Sequence, residues 1–444
     1  MYLVYSALLA VWFLATLPYW LIQMSRHGKY RAGLAERLGR VPARLRSRPD
    51  QPVIWVHAVS VGEVLAVSQL VTQITNDYPE YQVFVSTTTE TGQTLAKKKF
   101  GEANVFYCPV DFAFAIRPYL DVLNPRLLIL AETEFWPNLL RLTRNRGAWI
   151  AVVNARISNR SFPGYRRIQR WLKPVLANVD LFLAQTEEDG RRLTAIGARP
   201  ERLQVTGNVK FDVNPPNAPR IVRNLRTAFE SAGARPVLVC GSTVEGEEPL
   251  LLQTFQNVLA SHPRAVMILA PRHPERFPEV MKLLESFGTR FWRRSLWNGE
   301  PISGGVFLVD TIGELAALYA LGTLAFVGGS LVPRGGHNII EPAQYGVPIV
   351  VGNHTENFRD LVGLFQTQNA VKVVGPAELP LAFMELIEDE SLRATLGQNA
   401  AATLRSQRGA TQRTISALSQ LLLQPASSPP AANGEDRTDR PQTG

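Results

Sequence analysis

The feature that most constrains this chain is a sustained alternation of short apolar runs with helical patterns. Apolar runs fall at 53–56, 82–86, 104–107, 127–131, 149–153 and 181–184, with helical stretches between them, such as 62–75 and 91–100. DVNPPNAP (212–219) then interrupts the pattern, and a second series follows at 236–240, 265–269, 306–309, 324–327 and 348–351. Strands that alternate with helices predict parallel sheets covered on both faces. Closely spaced prolines favour extended backbone and mark a domain boundary. The expected architecture is therefore two α/β domains, 51–213 and 214–425, with strand carboxyl ends facing a shared cleft. Around them lie an apolar helix (1–25), a basic connector (26–50) and a disordered Pro/Ser-rich tail (426–444).

The stretch LAFVGGSLVPRGGHNIIEPAQYGVPIVVG (324–352) reads as strand, glycine-rich turn, short helix and strand. Glycines at 328, 329, 335 and 336 suit tight turns or the close approach of a ligand. Asn338 and Glu341 fall three apart, on one face of the helix expected there. Open α/β sheets bind ligands beyond strand carboxyl ends, and helix N-termini hold anions. A generic packing unit would need the glycines; the added Asn-x-x-Glu favours a nucleotide-sugar site.

Other turns of the second half offer similar chemistry. Ser242 lies in GSTVEGEE (241–248), a small-residue turn whose N–H groups could receive a phosphate, without the lysine of a P-loop. Pro271 and Arg272 follow the 265–269 run, where a guanidinium suits a phosphate. Ile312, Gly313 and Glu314 form another turn at a strand end.

In the first half, HAVSVGE (57–63) places Glu63 near a helix N-terminus, where it complements the helix dipole or serves as a base. ETEFWPN (132–138) offers Glu132 and Glu134, which would share a face if extended. Lys210 stands in GNVKFD (207–212), as a cleft-facing cation or as a solvated charge.

Hydrophobic residues make up 45% of the chain and charged residues 19%, an ordinary folded composition. Two distant cysteines in apolar settings provide no disulfide framework and are expected as buried thiols. The histidines are dispersed, so no metal centre is expected. A net charge of +9 calls for an anionic partner, but no nucleic-acid motif is present. Residues 2–24 carry no charge and basic residues follow at once, which predicts attachment to the cytoplasmic face of an anionic inner membrane. A single-pass span and an interfacial helix both fit; a cleaved signal peptide fits poorly.

Motifs ERLG (36–39), HAVSVGE, ETEFWPN, NARISNRS (154–161), GNVKFD, GSTVEGEE, APRHPERF (270–277) and GGHNIIEPAQYGVPIVVG (335–352) follow one another in order. Over residues 26–415 the chain closely resembles 3-deoxy-D-manno-octulosonic acid (Kdo) transferases. The resemblance implies a GT-B glycosyltransferase with two Rossmann-like domains facing across a cleft. Its donor would be CMP-Kdo and its acceptor the lipid A precursor (lipid IV-A), without metal or other cofactor. It implies Glu63 as catalytic base, with Glu132 and Lys210 stabilising the transition state. Contacts to CMP would come from Pro271, Arg272, Ile312, Gly313, Glu314, Asn338 and Glu341, with Ser242 at the neighbouring turn. Another GT-B nucleotide-sugar transferase or epimerase is the alternative, or a non-catalytic membrane-attached nucleotide-binding module.

Overall fold

Two seven-stranded parallel sheets organise the computed structural model, which describes residues 1–27, 32–45, 50–212 and 220–424. The first contains β1 (Val53–His57), β2 (Gln82–Thr87), β3 (Val105–Tyr107), β4 (Pro125–Ala131), β5 (Trp149–Ala155), β6 (Leu181–Ala184) and β7 (Leu203–Val205). They lie in the order β3-β2-β1-β4-β5-β6-β7. The second contains β8 (Val237–Thr243), β9 (Val266–Pro271), β10 (Phe291–Arg293), β11 (Gly305–Leu308), β12 (Leu324–Val327), β13 (Ile349–Gly352) and β14 (Lys372–Val374). Its order is β10-β11-β9-β8-β12-β13-β14.

Each sheet is wound in two directions from its first strand, so each has a switch point where the chain direction of winding reverses. One lies between β1 and β4, with His57 opposite Leu130; the other lies between β8 and β12, with Gly241 opposite Val327. Ligands of open α/β sheets bind beyond the carboxyl ends of the strands at such points. The central strands are buried on both faces, as their continuous Val, Ile and Leu runs require. Strands β7, β10 and β14 were not legible because they are short, partly exposed edge strands without a continuous apolar run.

The chain divides into Met1–Asp212 with Arg408–Gly444, and Val213–Gln407. The second domain thus ends short of the expected residue 425, because the C-terminal helix Ala410–Leu423 packs within the first unit. Ile415, Leu418, Leu421 and Leu422 share a core with Ile54, Val56 and Leu127. Asp212 holds that helix: its carboxylate accepts from the N–H of Gly409 (2.6 Å) and of Thr411. The expected linker at 213–219 and the tail at 426–444 lie outside the described residues, as do connector residues 28–31 and 46–49.

The first helix, Tyr2–His27, contains Pro18. Its Tyr2, Tyr5 and Ser6 are partly buried, whereas Leu3, Val4, Leu8, Val11, Trp12, Leu14 and Leu17 are exposed. Asn178 donates to the Tyr2 hydroxyl (3.0 Å), and Arg141 lies over the Tyr2 ring. Among the described residues, no helix is long and apolar enough to cross a membrane. Cys108 and Cys240 are free and buried, and burial pushes both thiols up.

Candidate functional site

The β1 end delivers Glu63 on the first turn of the helix Val61–Asp77, behind Ser60. Only 8% of Glu63 is exposed, yet its carboxylate is held locally: Oε2 accepts from the Val59 N–H (2.8 Å) and Oε1 from the Ser60 hydroxyl (3.1 Å). Burial pushes its pKa up to about 7, reinforced by the negative charges of Glu134 and Glu132 and opposed by the Val59 and Ser60 hydrogen bonds. Loss of hydration disfavours the charged form, and like charges add to that. A carboxylate that titrates near neutrality is suited to proton abstraction. A dipole partner would gain nothing from such an environment.

The β4 end delivers Glu132 and Glu134. Glu132 has a left-handed φ of 56°, so the two acids are on a turn and not on the extended segment expected for sharing a face. The turn still brings both within electrostatic reach of Glu63. Glu132 Oε1 is 2.8 Å from Lys210 Nζ. Glu134 Oε2 accepts from the Trp136 indole N–H (2.9 Å), and burial raises its pKa. The Lys210 turn is fixed by Asn154, whose side-chain oxygen accepts from the Val209 N–H (3.1 Å), and by Asn208, which accepts from the Lys210 N–H. Lys210 is thus an ion-paired member of the cluster and not a solvated charge.

Two contributors escaped the sequence reading. His57 is fully buried, with Nδ1 2.9 Å from the Ser86 hydroxyl and its ring edge-on to Trp136. Burial lowers its pKa to about 4, so it stays neutral. Asn154 has a left-handed φ of 54°, a signal that its motif NARIS alone could not reveal.

In the second unit, β8 and β12 bring together Ser242, which has a φ of 56°, and the Gly328–Gly329 turn. A Cβ on Gly328 would come within 2.5 Å of the Ser242 carbonyl oxygen, so only glycine fits this approach. Of the GSTVEGEE amides expected to receive a phosphate, that of Val244 is taken by a neighbouring carboxylate. Glu247 is fully buried, and its carboxylate accepts from the N–H groups of Val244, Gly329, Ser330 and Leu331. Its neighbour Glu248 is paired with Arg276. These amides are committed to shaping the turn.

Arg272, after Pro271, remains exposed and within electrostatic reach of Glu341 and His337. Burial, with the positive charges of Arg272 and His273, lowers the His337 pKa to about 4. Glu341 is partly buried, which raises its pKa, and Arg272 opposes the rise. The helix expected to carry Asn338 and Glu341 is a single turn, Ile340–Ala343, and Asn338 precedes it; its side chain accepts from the Ile340 N–H (3.1 Å). Ile312 and Gly313 are exposed, whereas the Glu314 carboxylate is taken up by Arg294. Glu314 can therefore offer a ligand its backbone more readily than its charge.

Two doubly wound parallel sheets, each with polar groups at its switch point, define a GT-B-like α/β protein. The fold is shared with a putative UDP-N-acetylglucosamine 2-epimerase from Listeria monocytogenes, at TM-score 0.57 and 15% identity over 84% of this chain and 97% of that one. Residues 32–213 match the family model described as 3-deoxy-D-manno-octulosonic-acid transferase (kdotransferase). The 3-deoxy-D-manno-octulosonic acid transferase of Haemophilus influenzae is 36% identical over 89% of this chain and 92% of its own length. That of Bordetella pertussis is also 36% identical, over 91% and 95%. The chain belongs to the Kdo transferase family, and it is a glycosyltransferase.

Proposed function

We propose that the chain transfers Kdo from CMP-Kdo to a hydroxyl of the lipid A precursor (lipid IV-A) in lipopolysaccharide biosynthesis. Family membership supports the reaction, and one observation carries the mechanism: Glu63 is a buried carboxylate titrating near neutrality beside two further acids. Glu63 takes the proton of the acceptor hydroxyl as its oxygen bonds to the anomeric carbon of Kdo. The bond from that carbon to the CMP phosphate oxygen breaks, and its electron pair leaves with CMP. Positive charge develops on the sugar while negative charge grows on the phosphate. The ion-paired Glu132 and Lys210 supply fixed groups of both signs for it. Ser242, Pro271, Arg272, Ile312, Gly313, Glu314, Asn338 and Glu341 hold CMP, with Arg272 opposite the phosphate. One arginine can balance one phosphate, so transfer is expected to persist in EDTA.

The first helix attaches the enzyme to the anionic cytoplasmic face of the inner membrane as an interfacial element. Its exposed apolar face supports this, together with the neighbouring helix Gln169–Leu176, which exposes Trp171 beside Arg170 and Lys173. The polar contacts of Tyr2 to Arg141 and Asn178 favour an interfacial helix over a span.

Glu63→Gln tests the central claim, because it keeps shape and removes basicity. Turnover should fall on the order of 10²–10⁴-fold with CMP affinity unchanged. Near-normal transfer by a folded Glu63→Gln enzyme would remove Glu63 from the base role.

A further inference from the structure

Asp111 is a buried carboxylate that the mechanism does not use. It is 2% exposed, and its oxygens accept from the N–H groups of Asn138 (3.1 Å) and Leu139 (2.8 Å). Those amides are the first of the helix Pro137–Asn145, so Asp111 caps that helix from a distant loop. The Tyr5 hydroxyl of the first helix lies within electrostatic reach of that carboxylate. Asn138, 1% exposed, donates through its side chain to the Asp111 carbonyl oxygen (2.6 Å) and to the Ser6 hydroxyl (3.0 Å). Tyr5 and Ser6 are adjacent residues, both on the partly buried side of the helix.

The segment so clamped begins immediately after the Glu132–Trp136 turn. Trp136 is the residue that holds Glu134 by hydrogen bond and packs edge-on against His57. Few bonds separate the head of the first helix from the acidic cluster: Ser6 to the Asn138 side chain, then two residues along the backbone to Trp136.

We propose that Ser6, Asn138 and Asp111 are positioning residues that couple the first helix to the Glu132–Trp136 turn, so that this helix sets turnover as well as attachment. The proposal rests on the Kdo-transfer reading above. Attachment belongs to the exposed face of Val4 and Val11, and positioning belongs to the opposite face, which carries Ser6.

The two roles separate in detergent, where attachment no longer matters. The full-length enzyme is assayed in micelles with lipid IV-A and CMP-Kdo. Ser6→Ala removes only the hydroxyl link and leaves Asp111 capping its helix. It should lower kcat by about threefold or more, with the KM for CMP-Kdo unchanged. Asn138→Ala should lower it further, and adding Ser6→Ala to Asn138→Ala should cost little more, because Ser6 acts through Asn138.

The acid limb of the pH profile should move as well. Glu63 faces Glu132 and Glu134, with Ser60 and the Val59 amide on its own element and Lys210 paired to Glu132. Asp111 faces Arg141, Tyr5 and Cys108. A turn that relaxes away from Glu63 removes like charge, so the limb should move to lower pH in Ser6→Ala. Loss of fold alone would reduce the active fraction without moving the limb. Val4→Ser with Val11→Ser should keep the detergent kcat while sedimenting less with vesicles. Wild-type kcat and pH profile in folded Ser6→Ala and Asn138→Ala would overturn the coupling, as would a change confined to KM. Failure of the wild-type enzyme to transfer Kdo would instead overturn the reading on which it rests.

Discussion

At the residue scale the decisive fact is an inversion of ordinary preference. A carboxyl in water is charged above pH 5, but Glu63 is held where charge is disfavoured up to about 7. Its folded pKa lies above its unfolded one, so its contribution to stability is fully present below about pH 4.5 and is lost as pH rises to about 7. Glu63→Gln imitates the protonated form. We expect that variant to melt higher than wild type at pH 8, by up to about 3 kcal/mol of stability, and alike at pH 4. Wild-type turnover should rise as pH passes through about 7. Melting curves at the two pH values, beside a pH–rate profile, check both statements. In the second unit, Glu341→Ala should weaken CMP binding about tenfold or more, the cost of a buried hydrogen bond to a charged group. Calorimetry with and without EDTA measures it, and an unchanged affinity would exclude Glu341 from the CMP contacts.

At the element scale, the strand ends do the positioning. Glu63 and Glu132 are far apart in sequence yet follow the two adjacent strands β1 and β4. Apolar runs in the sequence located both strands, because a strand buried on both faces must be apolar along its length. Their adjacency was not written there, since strand order depends on which side of the sheet each crossover takes. The C-terminal helix shows the same limit. Its apolar residues announced a buried face, but not which core they would enter. Leu418 is 1% exposed in the core with Ile54 and Val56. Leu418→Ala should therefore destabilise the first unit by about 2–5 kcal/mol, measured by denaturant unfolding. Separate transitions for the two units, with only the second displaced, would contradict the assignment of this helix.

At the scale of the whole molecule, the first helix combines an exposed apolar face with a polar, docked one. Deleting residues 1–25 should lower the membrane-bound fraction while leaving a folded protein that binds CMP, and vesicle sedimentation is the measure. Sedimentation as complete as that of the intact chain would transfer attachment to Trp171 and its basic neighbours. Of this protein, the sequence by itself determined the two-sheet α/β architecture, the family and the positions that carry its motifs. Periodicity and motif order are local properties, and they survive without coordinates. Only the tertiary structure decided that Lys210 pairs with Glu132, that Glu247 consumes the amides of the glycine turn, and that Asn138 bonds the first helix beside a turn of the site. Each of these depends on groups distant in sequence whose charge or hydrogen-bonding capacity must be satisfied once water is excluded, and that demand arises only when the chain has folded.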